Sequence, residues 1–161
     1  MRALEELVKA GKTRFIGVSN LTADEVRECQ RALTRERIAC DQVCYHLKAR
    51  GLEVDLLPFC ERRKIAVVGY SPFAGGKFFK KGSRESQVLA QIGRRHGKTV
   101  RQVALNFLSW KPGLFAIPKS GNRVHTEENA GAAGWNLSRE DLSELDRMFP
   151  PPKQAVPLAM M

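Results

Sequence analysis

Apolar residues in this chain fall into short continuous runs, separated by longer stretches in which they recur every three or four positions. The runs Arg14–Asn20, Ile38–Cys44, Ile65–Ser71 and Leu114–Ile117 predict four short strands of a helix-covered parallel sheet. The stretches around them predict helices: residues 2–10, Thr22 to about Leu33, 53–63, 87–96, Thr99 through Trp110, a run beginning near Val124, and a last helix from Ser138. Thr22 with Glu25, and Thr99 with Gln102, have capping-box spacing, and Ser138 with Asp141 caps the last helix. Gly11 closes the first helix, whose Leu4, Leu7 and Val8 share a face. Pro72 and Pro118 end the third and fourth strands, since proline has no N–H for a ladder. Pro150–Pro152 stop the last helix, and the tail to Met161 is expected on the surface. Residues 73–86, with Gly75, Gly76, Gly82 and several lysines, predict a long irregular segment.

A helix followed by four strand–helix units predicts an α/β fold with a helix-covered parallel sheet. Two architectures fit, an open doubly wound sheet or part of a (β/α)8 TIM barrel. No G-x-G-x-x-G follows any strand, which counts against the first. Ser19–Asn20, Tyr70–Ser71 and Lys119–Ser120 follow strand C-terminal ends, and Gln42 lies within the second strand. In a barrel those ends converge on one mouth.

At 161 residues, 43% hydrophobic and 27% charged, the chain reads as one soluble domain long enough to bury a core. No apolar run approaches the ~20 residues of a membrane span. The N-terminal Met1–Lys9 carries acids and no signal core, so a cytoplasmic location is expected. Cys29, Cys40, Cys44 and Cys60 lack C-x-x-C spacing and read as reduced thiols, not a disulfide framework or zinc site. His96, beside Gly97 at a helix end, reads as favouring the helix dipole rather than a metal. The net charge is +10, but the 27 Lys and Arg are spread along the chain without interleaved aromatics. That pattern is a solvated surface, and no nucleic-acid partner is expected. A phosphorylated ligand uses the same sign of field more economically. Its natural place is Lys119–Arg123, where a cation, a hydroxyl, backbone N–H groups and a helix N-terminus follow a strand. The competing reading is a polar connecting loop.

Gly11–Asn20 (G-K-T-R-F-I-G-V-S-N), Asp41–His46 (D-Q-V-C-Y-H), Val68–Pro72 (V-G-Y-S-P), and Ile117–Ser120 (I-P-K-S) with Glu127–Asn129 (E-E-N) stand in the order and spacing of aldo/keto reductase landmarks. The whole chain resembles the C-terminal half of that family, and its M-F-P-P-P segment is similar to bacterial members. The resemblance implies the last four strand–helix units of a TIM barrel that uses NADP(H) to reduce carbonyls to alcohols. It matches Ser19, Asn20 and Gln42 to the nicotinamide carboxamide, Tyr70 to stacking on the nicotinamide ring, and Ser71 to the pyrophosphate. Lys119 and Ser120 match the grip on the adenosine 2′-phosphate. His125 stands where many members have arginine, and Arg123 is placed to supply that charge. Glu128 and Asn129 match the pair at the adenine edge and ribose. Asp41 replaces the usual asparagine, which puts a negative charge near the cofactor. No position matches the family's Asp-Tyr-Lys-His tetrad, so no catalytic residue is expected here. A small carbonyl substrate is then expected only if a complete barrel is assembled. Tyr45 is expected to line the barrel mouth, with His46 an ordinary loop histidine. A truncated reductase is one reading. A non-catalytic NADP(H)-binding or interaction module, as a homodimer or with a separate N-terminal half, is the other.

Overall fold

The four apolar runs make one sheet in a computed structural model that describes residues 1–76, 80 and 82–160. Its strands are β1 (Ile16–Ser19), β2 (Ile38–Cys44), β3 (Ala66–Tyr70) and β4 (Leu114–Ala116). All are parallel, and they lie side by side in the order in which they occur in the chain. A doubly wound sheet reverses its strand order at a switch point, so consecutive order decides for an arc of a barrel. Right-handed crossovers between successive neighbours put every connecting helix on one side.

Those helices are α1 (Arg2–Lys9), α2 (Ala23–Arg31), α3 (Leu56–Arg63), α4 (Arg84–His96), α5 (Val100–Phe107), α6 (Arg123–Ala130) and α7 (Arg139–Met148). The capping boxes at Thr22, Thr99 and Ser138 all form. Short 3₁₀ turns occur at Gly51–Glu53 and Ala74–Gly76. The core lies between sheet and helices: Ile16, Ile38, Val43, Val67 and Leu114 from the strands meet Val26, Phe59, Leu89, Ile92 and Val103.

Four strands do not close a barrel, so the inner face of the sheet has no opposing side chains. With all helices on one side, the other face is uncovered, and Gly17, Ser19, Gln42 and Phe115 on it are exposed. Phe115 is 54% exposed, and Phe15, just before β1, is 71% exposed. Close packing fixes two glycines in the sheet. A Cβ on Gly17 would lie 2.7 Å from Cys40 Sγ, and one on Gly69 would lie 3.1 Å from Tyr45 Cβ.

Three element boundaries move. The third helix begins at Leu56, after the Gly51–Glu53 turn, rather than at Glu53. α4 begins at Arg84, because Ser83 accepts the Ser86 amide as an N-cap. The irregular segment expected over 73–86 is thus shorter, and part of it, residues 77–79 and 81, lies outside the described residues. α5 ends at Phe107 rather than Trp110, where Ser109 Oγ donates to the Leu105 carbonyl at 2.9 Å and competes with helix continuation.

Candidate functional site

At the C-terminal ends of β1, β2 and β3 the sheet register brings the first group of candidate residues together. Ser19 pairs with Gln42, and Cys44 with Tyr70. Ser19 Oγ donates to the Gln42 carbonyl at 2.9 Å, and the Asn20 amide donates to the same oxygen at 2.9 Å. Tyr70 Oη donates to Asn20 Oδ1 at 3.0 Å. The Asn20 carboxamide is oriented by that bond, which leaves its NH₂ to donate outward. Gln42 is exposed on the uncovered face. Asn20 and Ser71 have φ of 56° and 52°, in the left-handed region that costs most non-glycine residues free energy. Both turn the chain sharply at a strand end.

Alternation along β2 separates Asp41 from its neighbour. Gln42 faces the open side, while Asp41 is wholly buried toward the helices. The expected negative charge near a cofactor is therefore corrected: Asp41 points the other way. Neither carboxylate oxygen has a partner of normal hydrogen-bond geometry. Burial pushes its pKa up from 3.8 to about 6, opposed by the nearby Leu21 amide and reinforced by Glu25.

Tyr45 is also corrected. It does not line the mouth but is buried, its Oη donating to Glu53 Oε1 at 2.7 Å. Arg50 grips the same carboxylate with two bonds of 2.7 Å and donates to the Phe149 carbonyl at 2.5 Å. His46 lies in the turn after β2, where it is buried. His96 does more than complement a helix end: its Nε2 lies 2.7 Å from Asp141 Oδ2, and Arg95 reaches Oδ1 at 2.6 Å, tying α4 to the cap of α7.

The second group follows β4. Lys119 is exposed and ion-paired with no carboxylate among the described residues. Ser120 Oγ donates to the Asn122 carbonyl at 2.9 Å and accepts the Asn122 amide at 3.0 Å. Asn122, the N-cap of α6, accepts from Val124 N at 2.8 Å and His125 N at 3.4 Å. Of the backbone N–H groups expected there, that of Asn122 is taken by Ser120 Oγ. An anion has to exchange for the Ser120 bond, while Lys119 needs no such exchange. His125 is exposed, and Arg123 pairs with Glu127 at 2.8 Å. That pair is 90% and 62% exposed, so it holds Arg123 only weakly. Glu128 and Asn129 are half-buried, and Glu128 O accepts from Gln102 Nε2 at 3.0 Å. Asn129 Oδ1 is buried without a partner.

The sequence reading missed Asn122 as the residue that shapes this loop. The signal was present, because asparagine before a helical run is a strong N-cap. Among the described residues, no group of three His, Cys, Asp or Glu could hold a metal ion, and no helix is long and apolar enough to cross a membrane.

The sequence model of the aldo/keto reductase family matches residues 1–149. Methylglyoxal reductase YeaE of Escherichia coli is 35% identical over 99% of this chain and 56% of its own length. Glyoxal reductase of Bacillus subtilis is 33% identical over 91% of this chain and 50% of its own length. An aldo-keto reductase from Klebsiella pneumoniae, crystallised in complex with NADPH, superposes with a TM-score of 0.90 at 38% identity, covering 99% of this chain and 56% of that one. The chain thus spans about half the length of the relatives it matches.

Proposed function

The chain belongs to the aldo/keto reductase family, and from that membership we propose that it forms the NADP(H)-holding arc of a carbonyl reductase. The observation that carries this reading is the alignment of its two polar groups with strand C-terminal ends on one arc. The Klebsiella relative crystallised with NADPH supports the same cofactor. Bound NADPH supplies a hydride. The residues here do the holding: Ser19, Asn20 and Gln42 meet the carboxamide, Tyr70 backs the nicotinamide ring, and Ser71 meets the pyrophosphate. Lys119 and Ser120 take the 2′-phosphate, with Arg123 and His125 adding positive field. Glu128 and Asn129 hold the adenine edge. The Lys119 ammonium, exposed and ion-paired with no carboxylate among the described residues, fits such a ligand.

No residue of this arc is assigned the acid that protonates a carbonyl oxygen as hydride arrives. Turnover therefore belongs to an assembly that supplies that acid, and small carbonyl compounds are the substrate class there. These 161 residues alone are expected to bind NADPH without oxidising it in the presence of methylglyoxal. The test is titration with NADPH and NADH by intrinsic fluorescence, wild type against Lys119→Ala. The variant should weaken NADPH about tenfold or more and leave NADH nearly unchanged. Equal loss for both cofactors would overturn the 2′-phosphate assignment. NADPH oxidation above the enzyme-free rate would overturn the claim that these residues lack the acid.

A further inference from the structure

Arg27, Arg31, Arg37 and Arg63 line one cleft of about 380 Å³ between α2 and α3, together with Gln30, Ile38, Phe59 and Ile65. Ile38 opens β2, and Ile65 immediately precedes β3. The cleft therefore lies at the opposite end of the sheet from Ser19, Gln42 and Tyr70. It sits within the arc rather than at either edge.

We propose that this arginine-lined cleft binds a compact polyanion carrying several phosphate groups. Four guanidinium groups around one cavity repel each other unless a counter-charge sits among them. Protein carboxylates supply little of it. Arg27 pairs with Asp24, whereas Arg31, Arg37 and Arg63 pair with no carboxylate among the described residues. Two of the groups also lie against one ring. Arg27 lies 4.7 Å and Arg63 6.0 Å from the centroid of the same Phe59 ring, which is itself buried. Contact with the ring face places these two guanidinium groups, and Arg63, which pairs with no carboxylate among the described residues, keeps its N–H groups for an outside acceptor. Gln30 clamps the segment that carries Arg37, donating to the Glu36 carbonyl at 3.0 Å and accepting the Ile38 amide at 3.0 Å.

Arg31 and Arg63 lie in the last turns of their helices, where a cation favours the dipole. That accounts for one charge on each helix, not for Arg37 or for the convergence. It also sharpens the expectation. Helix C-termini disfavour an anion, so the side chains alone hold the ligand, and removing them should weaken binding strongly.

Inorganic tripolyphosphate is the probe, titrated calorimetrically into the intact chain at ~0.15 M salt, where diffuse attraction is screened. Three variants separate the sources of binding: Arg31→Gln/Arg37→Gln/Arg63→Gln, a charge-matched Arg2→Gln/Arg139→Gln/Lys153→Gln, and Lys119→Ala. The cleft variant should weaken binding at least about tenfold, and the charge-matched one less than about threefold. Equal loss in the charge-matched variant would overturn the proposal in favour of net charge. Loss in Lys119→Ala alone would place the probe on the loop after β4, and undetectable binding to wild type would also overturn the proposal. A second measurement needs no variant. Tripolyphosphate should protect Arg31, Arg37 and Arg63 of the wild-type chain from phenylglyoxal and leave Arg2 and Arg139 reactive. Uniform protection would refute the cleft even if the triple variant fails to fold.

Discussion

Asp41 is the side chain least at ease in its surroundings. It is fully buried, lacks a hydrogen-bond partner, and shares its pocket with Cys60, whose thiol is pushed up to about 12 by burial and then by the Asp41 charge. The carboxyl pKa is raised from 3.8 to about 6, so the folded protein holds this proton more tightly than the unfolded chain does. Its contribution to stability is therefore best below about pH 4, declines as pH rises, and is fully lost above about pH 6. Asp41→Asn removes the charge and keeps the shape. We expect it to stabilise the fold at pH 7 by on the order of 1–3 kcal/mol. It should also flatten the dependence of stability on pH between 4 and 6. Urea unfolding at several pH values reads both effects, and an unchanged slope would show that Asp41 is already neutral or solvated.

Among the elements, the α4–α5 pair depends on one missing side chain. A Cβ on Gly93 of α4 would lie 2.3 Å from the Lys98 carbonyl oxygen, so the following turn approaches the helix as closely as it can. Gly93→Ala should cost about 1–3 kcal/mol despite alanine's better helix propensity, read as a lowered urea midpoint. Much of the element layout was legible because the capping boxes are local chemistry, set by residues three apart. The start of α4 was not legible, since Ser83 follows glycines and lysines that read as loop. Nor was the side on which Tyr45 and Asp41 sit plain before the sheet was seen, because a continuous apolar run carries no alternation to mark its faces. For the candidate site, motif order placed the residues near strand ends. It did not reveal that Asn122 Oδ1 takes the Val124 and His125 amides of α6, or that Ser120 Oγ is bonded within the loop, which depends on the local backbone geometry.

At the scale of the whole molecule, one face of the sheet is covered and the other is not. Phe15 and Phe115, with Ile117 at 44% exposure, lie beside the first and last strands, whose outer edges are unpaired within this sheet. Exposed apolar edges seek partners. The isolated chain should bind a hydrophobic dye and sediment as more than a monomer. Phe115→Lys/Ile117→Lys should reduce both without changing the far-ultraviolet circular dichroism. A monomeric wild-type chain with no dye binding would contradict this picture.

β4 has only three residues, pairs on one side, and leads within a few residues into Lys119 and Ser120. The segment assigned to grip the 2′-phosphate thus hangs from the strand with the fewest ladder bonds, and such edges open most readily in native-state hydrogen exchange. A ligand that binds only the closed form must also hold β4 shut, so some of its intrinsic affinity goes into ordering the strand. Amide exchange at Ile117, which donates to Gly69 across that edge, should then slow on addition of NADPH more than exchange at Val43. The shortest strand would act as a reporter of occupancy.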